Sequence, residues 1–150
     1  MLINNTTTIR ITLADDDIDD CTMFKEALQH MNIKYNFNMF HTGTELLSYL
    51  NTAYNLPHII FLDLNMPGLS GIETLKVIRN QDKFSQVAIA IYSTSSRKLD
   101  MEETLANGAN CYIIKPNTFG SLKTVLKHIL SQYWQYRTSR MVLENFIVAL

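Results

Sequence analysis

Two groups of acidic residues set the chemistry open to this chain. Asp15, Asp16 and Asp17 stand in a row, and Asp63 closes the apolar run His58-Ile59-Ile60-Phe61-Leu62. Carboxylates brought together repel one another, so a cluster of them is costly without a cation. Oxygen ligands with no Cys or His among them suit a hard ion such as Mg²⁺. A carboxylate can also be a nucleophile toward phosphorus and form an aspartyl phosphate. Two further sets of groups fit that chemistry: the hydroxyls of Ser93 and Thr94, and the ammonium of Lys115. Beside a metal ion, an ammonium and a hydroxyl are suitable partners for phosphoryl oxygens.

These residues are far apart in the chain, so a fold must bring them together. Ile9, Ile11 and Leu13 alternate up to the acidic triplet and predict a strand. Met23, Phe24, Ala27, Leu28 and Met31 recur at helical spacing and predict a helix over 19–31. A short strand over 36–41 and a short helix over 45–50 follow. The unbroken apolar run ending at Asp63 reads as a strand buried on both faces, the mark of a central parallel strand. Met66-Pro67-Gly68 makes a turn, and Ser70 with Glu73 has the spacing of a capping box that opens a helix to about Asn80. A buried strand over 87–92 runs into Ser93. A helix over 99–107 has Gly108 at its C-terminal cap. A strand over 111–114 ends at Lys115. Phe119, Leu122, Val125, Leu126, Ile129, Leu130, Tyr133 and Trp134 form the apolar stripe of a last helix. Five βα units in succession imply an α/β doubly wound parallel sheet, helices on both faces. In such sheets sites form outside the carboxyl ends of the strands. Strands one, three, four and five end with the residues singled out above; strand two ends with His41 and Thr42.

The 150 residues fit one domain, with a polar lead-in over 1–8, a body over 9–136 and an apolar extension over 137–150. That extension carries Met141, Val142, Leu143, Phe146, Ile147 and Val148, and the sequence predicts that it prolongs helix five or packs in a homodimer interface. A net charge of −1 lacks the basic excess of a nucleic-acid binder. No apolar run approaches the roughly 20 residues that span a bilayer, and the first residues lack the pattern of a signal peptide. A cytoplasmic protein without membrane or nucleic-acid partners is the expectation. Cys21 and Cys111 sit in no metal-ligand spacing and are read as free thiols. His30, His41, His58 and His128 are read as surface or packing residues.

Taken together, LADDDIDD, IIFLDLNMPGLSGIE, IAIYSTSS and CYIIKP resemble the receiver domains of two-component response regulators, over about residues 9–135. The likeness extends to the stand-alone receivers paired with phytochrome-type histidine kinases. It implies a flavodoxin-like (βα)5 fold with strand order 2-1-3-4-5. It implies that Asp15, Asp16, Asp63 and the backbone carbonyl of Asn65 hold Mg²⁺, and that Asp63 is the phosphoacceptor. Lys115 would pair with the phosphoryl group, Ser93 would be the switch hydroxyl, and Tyr112 the aromatic residue that swings inward on activation. The side chains of Asn65 and Ser95 would tune the lifetime, and the Lys115–Pro116 bond would be cis. A sensor histidine kinase or phosphotransfer protein would donate from a phosphohistidine. A downstream protein target would read the face of helix four, strand five and helix five, since few residues follow helix five. Such a protein catalyses only its own phosphotransfer and dephosphorylation and is not otherwise an enzyme.

Each signal has a plainer reading by itself. The acidic triplet can simply open a helix, where Asp is favoured, and Asp17 is expected to be its cap. Lys115 could lie in solvent. Two rivals remain for the whole pattern: a degenerate receiver that binds partners without phosphorylation, and a haloacid-dehalogenase-like phosphatase that would use Asp15, rather than Asp63, as nucleophile.

Overall fold

The computed structural model describes residues 8–132 and 147–148. Its elements run β1 (Ile9–Ala14), α1 (Ile18–Gln29), β2 (Tyr35–Phe40), α2 (Gly43–Thr52), β3 (Ile59–Leu62), α3 (Gly71–Arg79), a 3₁₀ turn (Asp82–Phe84), β4 (Ala88–Ser93), α4 (Lys98–Ala106), β5 (Cys111–Ile114), α5 (Phe119–Ser131) and β6 (Ile147–Val148). All strand pairs are parallel, in the order β2-β1-β3-β4-β5-β6. The first five strands and five helices are the flavodoxin-like (βα)5 arrangement in the expected order 2-1-3-4-5.

Strand periodicity sorts the core into two layers. Ile59 and Phe61 point to the side covered by α1 and α5, where Phe24, Leu28, Leu122, Leu126 and Ile129 meet them. Ile60 and Leu62 point to the opposite side, against Leu46, Leu50, Leu75, Ile78 and Met101 of α2, α3 and α4. Every residue of β3 and β4 is buried, which is why these segments read as continuous apolar runs. Phe24 sits edge-on to Phe61 and to Tyr92, with centroids 4.9 and 5.5 Å away, directly beneath the strand ends.

Local chemistry sets the helix starts. The Asp20 amide donates to Asp17, the cap of α1, as expected. Ser70 and Glu73 form the capping box reciprocally, each side chain accepting from the other's backbone amide at 3.3 Å. Gly108 follows α4 at φ +99°.

Three expectations change. The Lys115–Pro116 bond is trans, as no cis peptide occurs among the described residues; trans is the intrinsic preference of an X–Pro bond by about 0.5–1 kcal/mol. Helix α5 closes at Ser131 with Gln132 as its cap. Ile147 and Val148 pair with Tyr112 and Ile113, so this piece of the tail extends the sheet rather than the helix. A two-residue strand at a sheet edge has no periodicity to announce it. Tyr133, Trp134, Met141, Val142, Leu143 and Phe146 lie outside the described residues, as do the domain limit at 136 and most of the lead-in. Among the described residues no helix is long and apolar enough to cross a membrane.

Candidate functional site

The site begins where the ladders end. The Asp15 amide donates to the Phe40 carbonyl (3.0 Å), the Asp63 amide to the Ala14 carbonyl (2.9 Å) and the Lys115 amide to the Ser93 carbonyl (2.8 Å). Each chemical residue is thus bonded to the neighbouring strand one step past its own, and its backbone is as rigid as the sheet. Helix α3 closes in from below. Gly71 donates its amide to the Leu64 carbonyl at 2.8 Å, and a Cβ there would overlap the Asp63 carbonyl oxygen and the Leu64 Cα. Glycine is required at this position because the helix starts against the backbone of the acidic strand tip.

The side chains converge. One carboxylate oxygen each from Asp15, Asp16 and Asp63 lies within 4.8 Å of the others. Lys115 Nζ stands 2.8 Å from Asp15 Oδ2, 2.7 Å from Asp20 Oδ2 and 3.9 Å from Asp63 Oδ2. Asp15 is wholly buried, Asp63 is 5% exposed, and the Lys115 side chain is 9% exposed, so the reading of Lys115 as a solvent lysine fails. Asp15 Oδ1 accepts from the Asp17 amide at 3.0 Å. Its Oδ2 accepts no hydrogen bond of regular geometry and has the Lys115 ammonium as its counter-charge.

One ammonium does not balance this much negative charge. Burial, and then the charge of Asp15, push the Asp63 carboxyl from 3.8 to about 7, against the pull of Lys115 and of a hydrogen bond from the Asn65 backbone. Burial alone would depress the Lys115 ammonium. Its close contacts with Asp15 and Asp20, with the charges of Asp15 and Asp63, outweigh burial and hold it above its ordinary value. Ligands of an octahedral ion with bonds of about 2.0–2.1 Å stand roughly 2.9 Å apart when adjacent and roughly 4.1 Å apart when opposite. The three carboxylates therefore fit a small divalent ion once they draw in around it, and buried Asp15 Oδ2 is the kind of under-satisfied oxygen such an ion relieves.

The other expected residues fall in two groups. Ser93 is buried, and its hydroxyl oxygen accepts from the Ser95 amide at 3.1 Å. Tyr112 already lies inside: the residue is buried and its hydroxyl donates to the Ser95 carbonyl at 2.8 Å. The phenol finds its polar partner within the fold. Asn65 and Thr94 are exposed on the loops that follow β3 and β4. His41 faces the Asp15 carbonyl at 3.1 Å, His58 accepts from the Arg10 amide at 2.9 Å, and His30 lies edge-on to Phe119, all packing roles. Cys21 and Cys111 are free and buried, with burial first among the causes that push both thiols up to about 12.

Two participants were not singled out from the sequence. Asp20 reads there as an ordinary acid of a helix's first turn, yet it takes the closest contact to Lys115. Asp100, in the first turn of α4, accepts from the Ser95 hydroxyl and so ties the β4–α4 loop to the helix. The spacing of Ser95 and Asp100 could have suggested the second; nothing local suggests the first, whose partner is 95 residues away.

FilR2, a probable methanogenesis regulatory protein of Methanothrix harundinacea, is 26% identical over 128 residues, covering 83% of this chain and 82% of that protein. YrkP, an uncharacterized transcriptional regulatory protein of Bacillus subtilis, is 31% identical over 139 residues; the match covers 93% of this chain but only 57% of YrkP. The phosphorylated cyanobacterial phytochrome response regulator RcpA superposes with a TM-score of 0.78 at 25% identity, over 89% of this chain and 98% of its own. The Mn²⁺-bound response regulator Rcp1 has the same fold, with a TM-score of 0.75 at 22% identity over 89% and 99% of the two chains. The family model of the response regulator receiver domain matches residues 11–127, from within β1 to within α5. That span takes in every strand tip that builds the acidic rim, and the chain belongs to the response regulator receiver domain family of two-component signalling.

Proposed function

We propose that this chain accepts a phosphoryl group on Asp63 from a phosphohistidine of a sensor kinase or phosphotransfer protein, in a Mg²⁺-dependent reaction, and signals through the altered surface. The observation that carries the reading is the meeting of Asp15, Asp16 and Asp63 oxygens within 4.8 Å, with Lys115 Nζ 3.9 Å from Asp63. Asp15, Asp16, Asp63 and the Asn65 carbonyl would hold Mg²⁺, which when bound neutralises carboxylate and phosphoryl charge. The Mn²⁺-bound form of Rcp1 supports a divalent ion in this fold. Asp63 Oδ forms its bond to phosphorus as the P–N bond of the donor breaks, and the imidazole leaves with a proton. Lys115 donates to a phosphoryl oxygen.

Phosphorylation adds about −1.5 to −2 charge at the rim. Ser93 then exchanges its bond with the Ser95 amide for a phosphoryl oxygen. Ser95 is also tied to Tyr112 and Asp100, so its release loosens the start of α4 and the face that α4, β5 and α5 present to a downstream protein. Water resets the switch, and the protein works in the cytoplasm as a signalling module, with no substrate other than its own phosphoryl group. The phosphatase alternative would need Asp15 as nucleophile, but Asp15 is fully buried, with Oδ1 held by the Asp17 amide and Oδ2 against the Lys115 ammonium. Incubation with acetyl phosphate and Mg²⁺ should add one phosphoryl mass to a peptide containing Asp63, and the D63N protein should gain none. Labelling of Asp15, or of nothing, contradicts the proposal.

A further inference from the structure

We propose that Asp20 is a positioning residue for Lys115, holding the ammonium off the nucleophile and aimed at the place a phosphoryl group will occupy. The inference rests on the receiver reading above. A lysine ammonium has three protons to donate. One is donated to Asp20 at 2.7 Å, and Asp15 Oδ2 lies against the ammonium at 2.8 Å as an ion pair, while Asp63 at 3.9 Å is beyond hydrogen-bond range. The Asp20 backbone amide is satisfied by Asp17, so its carboxylate is not spent on the helix cap. Asp20 is also outside the group of carboxylates close enough to share one ion.

That separation has a consequence. An ion taken up by Asp15 competes for the charge that Asp15 lends to Lys115. Asp20 is then the partner that remains. Without it, the nearest carboxylate left for the ammonium is Asp63, and a Lys115–Asp63 pair would mask the nucleophile and occupy the gap that a phosphoryl group must enter. With Asp20 present, the 3.9 Å between Lys115 and Asp63 leaves room for the P–O bond, and an ammonium proton remains for its oxygen.

The test is equilibrium binding of beryllofluoride in Mg²⁺ by the full chain, in wild type, D20N, D20E, K115M and D20N/K115M. D20N should weaken binding about tenfold, ~1.4 kcal/mol, and D20E should restore it to within about threefold. In the K115M background D20N should change binding by less than about twofold, since the effect passes through the lysine. A D20N protein that binds like wild type overturns the proposal, as does an equal loss with and without Lys115, which would make Asp20 a ligand in its own right. A crystal structure of D20N gives an independent reading. Lys115 Nζ should move within hydrogen-bond distance of Asp63, and an ammonium still beyond about 3.5 Å overturns the proposal. Wild type that binds no beryllofluoride defeats the receiver reading itself, an outcome distinct from failure of D20N alone.

Discussion

Replacing Asp63 with Asn should stabilise the ion-free protein above about pH 4, most fully at neutral to alkaline pH. Asp63 is buried beside Asp15, and those two causes raise its carboxyl from 3.8 to about 7. Between those values the folded state binds a proton that the unfolded state has released. Each pH unit in that window then lowers stability, because the unfolded chain carries fewer protons. The contribution of Asp63 is least unfavourable below pH 4, falls through the window and is flat above about pH 7. At 1.36 kcal/mol per unit the full window corresponds to ~4 kcal/mol. Relaxation of the rim absorbs part of it, so a gain of about 2–3 kcal/mol is expected for D63N at pH 8. At pH 4 both proteins carry a neutral group and the gain should vanish. Urea unfolding followed by circular dichroism, in chelator, at pH 4, 6 and 8 measures it. Taking the difference between variant and wild type cancels the other titrating groups. Saturating Mg²⁺ should shrink the gap at pH 8, since binding to the wild type stabilises it by mass action. A D63N protein no more stable than wild type at pH 8, or equally stabilised at pH 4, would refute the charge-repulsion argument.

Further outcomes follow from the same geometry. K115M leaves Asp15 buried without its cation and should lose about 3–5 kcal/mol in chelator at pH 8, with part of the loss recovered on adding Mg²⁺ in the same urea titration. G71A drives a methyl group into the Asp63 carbonyl and should cost about 1–3 kcal/mol by thermal melting while lowering the yield of acetyl-phosphate labelling. Y112F removes the donor to the Ser95 carbonyl and should cost about 1 kcal/mol in urea unfolding, with amide exchange at the start of α4 becoming faster.

The sheet was legible because burial on both faces leaves a mark in the sequence. Ile59, Ile60, Phe61 and Leu62 admit no polar residue, and the first polar residue after them had to be at the strand's end, where Asp63 stands. Capping chemistry marked Asp17, Ser70 and Glu73 for similar local reasons. What stayed hidden depends on tertiary contacts. Asp20 looks like any helix-opening acid until β5 carries Lys115 to it. Arg79 ends α3, and its guanidinium donates to the carbonyls of Gly108, Phe84 and Val87 and to the Asn110 side chain, partners that no local spacing marks. The inner placement of Tyr112 depends on a carbonyl 17 residues away. The pairing of Ile147 with Tyr112 and of Val148 with Ile113 is a tertiary contact that the sequence does not announce.

The most direct test of the central claim is a crystal structure of the protein with Mg²⁺ and beryllofluoride. The account predicts beryllium bonded to an Asp63 carboxylate oxygen, the ion shared by Asp15, Asp16 and Asp63, and Lys115 Nζ donating to a fluoride. Beryllofluoride bound elsewhere, or an ion that leaves Asp63 without a contact, would contradict it.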